Sequence, residues 1–131
     1  MPPIFDAVPA SVRPALVSRI FGWKVPFVGT AGIAFDELVP GRARLTLRNR
    51  RRVRNHLGAI HAAAMTLLAE AASGFVLGLS LPDDKIQLAK GLQVRFLQRA
   101  EGDLTAWLRY RPRRSGAFAP RSVARCSCRS E

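Results

Sequence analysis

This chain of 131 residues has few acidic residues for its number of basic ones, and only two cysteines. Asp and Glu total 9 against 21 Lys and Arg, so the formal net charge is +12. This balance favours anionic partners such as nucleic acid, anionic lipid or phosphorylated cofactors, and plain solubility is the open alternative. Cys126 and Cys128 are too close together for an ordinary disulfide and lack the partners of a zinc site. We therefore expect no metal and no cofactor.

The first residues also lack a basic stretch followed by an apolar one, which is what a secretory signal peptide would need. A cytoplasmic protein is therefore expected. With 48% hydrophobic and 23% charged residues, the chain is of the globular class and large enough for one domain with its own core.

The positive charge is concentrated in two places. One is the segment from Arg48 to Arg54, which we call the basic segment, and the other is the end of the chain after Trp107. Residues 111–131 have neither helical nor strand period, and their Arg, Ser and Pro content is typical of disorder. We predict a folded domain over residues 1–110 and a basic tail over 111–131. A frameshift near Trp107 is an alternative origin for such a tail.

Hydrophobic periodicity predicts the elements in order. We expect a short helix over 11–21 ended by Gly22, a loop over 23–32, and a hairpin of strands 33–39 and 42–48 around Pro40-Gly41. A long helix over about 59–79 follows, because Ala, Leu and Met favour helix and Pro82 is the first proline after it. The alternation of Leu92, Val94 and Phe96 predicts a strand over 86–97, and another strand is expected over 104–110.

The long helix is apolar on nearly every side, so it is either buried all round or spans a membrane. Glu70 argues against the membrane, because an acid near the bilayer centre costs at least about 2.5–3.5 kcal/mol. Each predicted strand also has an apolar face that another element must bury. A helix held on the concave side of a curved antiparallel sheet meets every constraint, which predicts an α+β fold without a membrane span.

That arrangement is the hotdog architecture, and one motif strengthens the resemblance. Asn55-His56-Leu57-Gly58-Ala59-Ile60-His61-Ala62 resembles the N-x-x-G-x-x-H-[GA] signature that opens the central helix of hotdog acyl-CoA thioesterases of the phenylacetate-pathway type. The chain also looks like a bacterial hotdog subgroup of unknown function. The resemblance covers about residues 10–106 and implies a hotdog fold whose last strands are missing or altered here.

The resemblance also implies roles for individual residues. Glu70 falls where the family carries its catalytic acid, so it is the expected general base or nucleophile, and Asn55 is expected to orient the water or the thioester. Gly58 would let a ligand approach the helix start, whose free N–H groups suit a carbonyl oxygen. The predicted substrate-binding residues are Gly58, His61, Ala62, Lys90 and Arg54, with the basic segment as a candidate for the phosphates of coenzyme A.

Helix geometry adds an independent inference. Glu70 lies nine residues after His61, hence about half a turn round the helix and about 13 Å along it. The helix start and Glu70 can then act on one substrate only from different chains, which predicts a homodimer or homotetramer with a site between subunits.

Each residue also has a structural interpretation. Glu70 could be a buried acid satisfied by Thr66 and Ser73, His61 could be structural at the helix start, and Asn55 could be a turn residue. Two functions other than hydrolysis stay open. The protein could bind an acyl-thioester without turning it over, or it could bind nucleic acid, although the basic segment lacks the interleaved aromatic residues of a stacking platform.

Overall fold

The computed structural model describes residues 13–82, 84, 86–110 and 125–129. The helices are α1 (Arg13–Lys24), α2 (Pro26–Ala31) and α3 (Ala62–Ser80). The strands are β1 (Ile33–Val39), β2 (Arg42–Leu47), β3 (Asp103–Arg109) and β4 (Arg125–Arg129). The expected lead-in over residues 1–10 and the expected cap at Ser11 lie outside the described residues.

The four strands form one antiparallel sheet in the order β1-β2-β3-β4. The predicted hairpin is confirmed, with Gly41 at a φ of 78° in the turn that joins β1 to β2. On β2 the predicted apolar face is buried, and each of its residues lies opposite a buried residue of β3. The opposed pairs are Ala43 with Leu108, Leu45 with Ala106, and Leu47 with Leu104.

Helix α3 packs across this apolar face of the sheet and contacts β1, β2 and β3. Its buried residues form one stripe at helical spacing: Ala64, Leu68, Ala71, Ala72 and Val76. The prediction of burial on all sides is wrong for the single chain, because the described part of the chain offers a sheet on one side of α3 only. Ala62–Ser80 is long and apolar enough to span a membrane, with a mean hydropathy of 1.6. One side of this helix packs on the sheet.

Two helices occupy the region between the first residues and the hairpin. The predicted loop over 23–32 is wrong, since α1 continues to Lys24 and α2 spans Pro26–Ala31. The two helices approach very closely at Gly22 and Gly29, where a Cβ added to Gly29 would stand only 2.3 Å from the Gly22 carbonyl oxygen. Phe21 of α1 then meets Phe35 and Phe75, with ring centroids 4.6 to 5.3 Å apart. This aromatic cluster joins α1 to the sheet and to α3.

The segment after α3 differs from its prediction. Residues 86–97 follow an irregular path, and among the described residues they pair with no strand. Their large apolar side chains are exposed, including Ile86 at 89% and Leu97 at 84%. A strand needs a neighbour for its backbone hydrogen bonds. The alternating pattern therefore lacks a strand partner within the described part of the chain.

The end of the chain supplies one more strand than expected. Arg125–Arg129 pairs antiparallel with β3, so the prediction of a tail without strand structure is wrong for these five residues. Residues 111–124 and 130–131, on which the rest of that prediction falls, lie outside the described part of the chain. The domain boundary at residue 110 and the frameshift stay predictions.

Candidate functional site

The motif that precedes α3 forms a compact hydrogen-bonded turn. Asn55 accepts with its side-chain Oδ1 from the N–H groups of Leu57 (2.9 Å) and Ala59 (3.2 Å). Gly58 has a φ of 79°, and a Cβ added there would meet nothing within 4 Å. The positive φ therefore favours glycine at this position, and the space beside Gly58 is open to a ligand. Asn55 acts as a turn residue here, and its expected catalytic role stays a prediction.

The first turn of α3 is capped by His61. The Nδ1 atom of His61 accepts from the Ala63 N–H at 3.1 Å, and the His61 carbonyl accepts from the N–H groups of Ala64 and Met65. Among the described residues, the Ala62 N–H is left without a hydrogen-bond partner. One backbone donor at the positive end of the helix dipole therefore points out of the helix start.

The basic residues predicted to bind substrate have different surroundings. Arg54 is held by the fold, since its guanidinium donates to the Oδ1 of Asn49 (2.8 Å) and to the Asn49 carbonyl (2.9 Å). Lys90 is exposed on the irregular segment after α3. A phosphate contact of either residue stays a prediction.

Glu70 is exposed in the single chain, so the prediction of a buried acid is wrong. Its two candidate partners bond to the helix backbone instead. The Thr66 hydroxyl donates to the Ala62 carbonyl, and the Ser73 hydroxyl to the carbonyls of Ala69 and Glu70. Neither hydroxyl reaches the Glu70 carboxylate. The interpretation of Glu70 as an acid satisfied by local hydroxyls therefore fails.

Glu70 instead borders an apolar cavity of about 440 Å³. Such a volume is in the range of small-molecule sites, which combine apolar walls with few polar groups. Besides Glu70 and Gln87, the lining residues are apolar or glycine: Phe21, Val25, Val28, Ala71, Gly74, Phe75, Gly78, Leu79 and Leu81. Glu70 is the single charged side chain among them.

Gln87 is the functional candidate that the sequence did not reveal. Its Nε2 donates to the Gly74 carbonyl of α3 at 2.7 Å, so the side chain lies across the helix. Glycines one turn apart, Gly74 and Gly78, were a possible signal for a close approach to α3. Nothing in the local pattern indicated which residue would use it.

The predicted site residues thus form two groups within one chain. Asn55, Gly58, His61 and Ala62 cluster at the start of α3, and none of them lines the cavity beside Glu70. Because α3 is continuous from Ala62 to Ser80, the offset of about half a turn and about 13 Å between His61 and Glu70 holds in the folded protein.

Comparison with known proteins assigns the chain to a family. Residues 13–124 match the family described as a domain of unknown function, DUF4442. The chain belongs to the DUF4442 family. A search of curated proteins found no match to it.

Solved structures similar to this DUF4442 protein have the hotdog fold. The structural-genomics protein APC5556 is 35% identical, with a TM-score of 0.68 over 76% of this chain and 68% of its own. PA5026 of Pseudomonas aeruginosa, described as a protein of unknown function and probable thioesterase, is 28% identical, with a TM-score of 0.65 over 72% of this chain and 64% of its own.

A further solved structure is similar in fold at lower identity. The PaaI protein of the E. coli phenylacetic acid degradation operon is 17% identical, with a TM-score of 0.60 over 76% of this chain and 72% of its own. Identity at this level shows the fold alone. The predicted hotdog fold is thereby confirmed, and the DUF4442 chain spans about two thirds of the length of the first two relatives.

Proposed function

We propose that this DUF4442 protein hydrolyses an acyl-thioester, with acyl-CoA as the expected substrate. The observation that carries the proposal is the position of Glu70 on the central helix, as the one charged side chain among the described residues that line an apolar cavity. The apolar walls suit an acyl chain, and a carboxylate beside that chain can act as the general base for thioester hydrolysis. The description of the 28% identical PA5026 as a probable thioesterase supports the same class of reaction.

The chemistry requires one base and one set of oxyanion donors. Glu70, as general base, takes a proton from water while the water oxygen attacks the thioester carbonyl carbon. The carbonyl oxygen becomes an oxyanion, and collapse of the intermediate breaks the carbon–sulfur bond to give the carboxylic acid and a thiolate that takes up the proton. Glu70 as nucleophile is the variant of this route, with a mixed anhydride that water then cleaves.

The start of α3 supplies the oxyanion donor in this proposal. The Ala62 N–H lacks a partner among the described residues and lies at the positive end of the helix dipole. The open space at Gly58 lets the thioester approach, and Asn55 fixes the turn that holds this space open. Because these groups lie about 13 Å from Glu70 along one helix, they complete the site of a second subunit.

Two surfaces support assembly into a homodimer or homotetramer. The outer side of α3 keeps residues such as Ala62, Ala63 and Gly78 exposed, although the helix is strongly apolar. Leu92 and Phe96 are each 51% exposed on the segment without a strand partner. A second copy would cover both surfaces and bring its helix start towards Glu70.

Binding of coenzyme A fits the charge of the chain. Lys90, Arg54 and the rest of the basic segment are proposed to contact its phosphates, and a cytoplasmic location fits the supply of acyl-CoA. A second candidate is an acyl-thioester-binding protein without turnover. The use of the Asn55 Oδ1 in two backbone hydrogen bonds favours it, because only the N–H₂ group of Asn55 is then left to act on a substrate.

Substitution of Glu70 tests the proposal. Glu70→Gln should lower kcat on a panel of acyl-CoA thioesters by about 10²–10⁴-fold, the usual contribution of a general base. Binding of a non-hydrolysable acyl-CoA analogue should persist, since the apolar walls remain. Ser73→Ala is the matched control, because its hydroxyl faces the helix backbone. Hydrolysis of no panel member by the unmodified protein, combined with tight binding of the analogue, would establish the binding protein instead.

A further inference from the structure

Gln87 shares one small space with Glu70, above Gly74 of α3. A Cβ built on Gly74 would stand 3.2 Å from Gln87 Nε2 and 3.6 Å from Glu70 Oε1. The missing side chain of Gly74 therefore leaves room that the amide and the carboxylate border from two sides. Both residues also line the apolar cavity, and within its described lining they are the two polar side chains. The polar end of the cavity is thus at Gly74.

One hydrogen bond determines how the Gln87 amide is turned. The Gly74 carbonyl oxygen can only accept, so the group 2.7 Å from it must be the N–H₂ end of Gln87. The amide oxygen then lies towards Gly78, 3.8 Å from where a Cβ would stand. A primary amide has two N–H donors, and Gly74 uses one of them. The second N–H is available to the space shared with Glu70.

We propose that Gln87 positions the water that Glu70 deprotonates. The free N–H of Gln87 donates to the water oxygen, and the water donates one hydrogen to the Glu70 carboxylate. This holds the water by two directed contacts and leaves a lone pair on its oxygen for attack on the thioester carbon. The inference rests on the proposed function, and it adds a residue from the segment after α3 to the site.

Among the described residues that line the cavity, no other titratable group is present to compete for this role. The contributing parts of α1, α2, α3 and the segment after α3 present apolar side chains or glycine, apart from Glu70 and Gln87. Changes in the titration of Glu70 on substitution of Gln87 therefore report on this pair.

Gln87→Met is the decisive variant, because methionine keeps the length and packing across the glycines and removes both N–H groups. We expect kcat to fall about tenfold, the value of one lost hydrogen bond, while KM for acyl-CoA stays within twofold. Gln87→Glu puts a like charge beside Glu70. The acidic limb of the pH dependence of kcat/KM should then move to higher pH by about one unit.

Glycine substitutions place a methyl group in the shared space. Gly74→Ala should displace the Gln87 amide and lower kcat, whereas the same methyl at Gly78 makes only an ordinary contact and should lower it less. A titration of the Glu70 carboxyl by ¹³C NMR in the unmodified protein and in Gln87→Glu tests whether residue 87 lies close to Glu70. This measurement does not depend on thioester hydrolysis.

The outcomes separate the two proposals. Absence of thioester hydrolysis by the unmodified protein overturns the proposed function, and the NMR titration still decides whether Gln87 faces Glu70. In an active enzyme, a Gln87→Met variant with the kcat of the unmodified protein overturns the role of Gln87 alone. An unmoved Glu70 titration in Gln87→Glu does the same.

Discussion

Asn55 and Ala59 hold each other by two hydrogen bonds. The Asn55 N–H donates to the Ala59 carbonyl at 2.8 Å, and the Ala59 N–H donates to the Asn55 Oδ1 at 3.2 Å. This pair closes the turn that contains Gly58 and leads into α3. A structural role and a catalytic role for Asn55 therefore use different atoms of one side chain, since the turn needs only the oxygen.

Substitution of Asn55 should separate the two roles. Asn55→Asp keeps the acceptor, so we expect the free energy of unfolding to stay within about 0.5 kcal/mol of the unmodified value. Asn55→Ala leaves two N–H groups without their acceptor and should lose about 1–3 kcal/mol, measured by urea denaturation. If the Asn55 N–H₂ group acts on the substrate, Asn55→Asp will lose kcat without losing stability. Full activity of Asn55→Asp would contradict the catalytic role.

Mixing of two inactive variants tests the site between subunits. A dimer formed from Glu70→Ala and Asn55→Ala chains has one site with both residues intact if the residues come from different chains. Statistical mixing should then restore roughly a quarter of the unmodified activity. Each variant alone, and a mixture kept from exchanging subunits, serves as the control. No recovery after exchange would place Glu70 and Asn55 of one chain in the same site.

A charge on the unpaired segment should weaken association. Leu92→Lys puts an ammonium group on the apolar face formed with Phe96, so the dissociation constant of the oligomer should rise at least tenfold. Gln93→Lys introduces the same charge at the neighbouring position, where the native side chain is already polar, and is the matched control. Light scattering over a dilution series measures both. Equal association of Leu92→Lys and the unmodified protein would exclude this segment from the interface.

The cap of α3 can be tested through His61. His61→Ala removes the acceptor for the Ala63 N–H and should cost about 0.5–2 kcal/mol of unfolding free energy. His61→Asp supplies a better capping oxygen and should retain the stability. Thermal unfolding at neutral pH measures the difference, and equal melting of His61→Ala and the unmodified protein would argue against the cap.

The contact of α1 with α2 predicts a strong glycine requirement. A methyl group on Gly29 would overlap the Gly22 carbonyl, so Gly29→Ala should destabilise the protein by about 1–3 kcal/mol or more. Gly78→Ala is the control, because its Cβ meets nothing closer than 3.8 Å and alanine favours a helix. A loss of stability in Gly78→Ala as large as in Gly29→Ala would contradict the close approach.

Sequence periodicity predicted those elements whose partners lie nearby in the chain. The alternation of Ala43, Leu45 and Leu47 identified β2, and Pro40-Gly41 identified its turn. The same alternation in Leu92, Val94 and Phe96 predicted a strand that the single chain does not form. Both segments alternate apolar and polar residues in the same way. A strand also needs a neighbouring backbone, and the pattern of one segment carries no information about that neighbour.

For the site, the sequence located the helix start and Glu70 but not their surroundings. Glu70 was expected to be buried because every side of α3 is apolar, and composition alone cannot indicate which side meets the sheet. Gln87 was missed because its contact with Gly74 joins residues thirteen apart through a reversal of the chain.

The sequence by itself determined the hairpin, the long apolar helix, the Asn55–Gly58 turn and the membership of the DUF4442 family. These depend on residue type and on contacts within a few positions. Only the tertiary structure decided which stripe of α3 is buried, that Glu70 borders a cavity, and that Gln87 lies across Gly74. Those features depend on which distant segments fill the space around α3, and packing rather than local preference selects them.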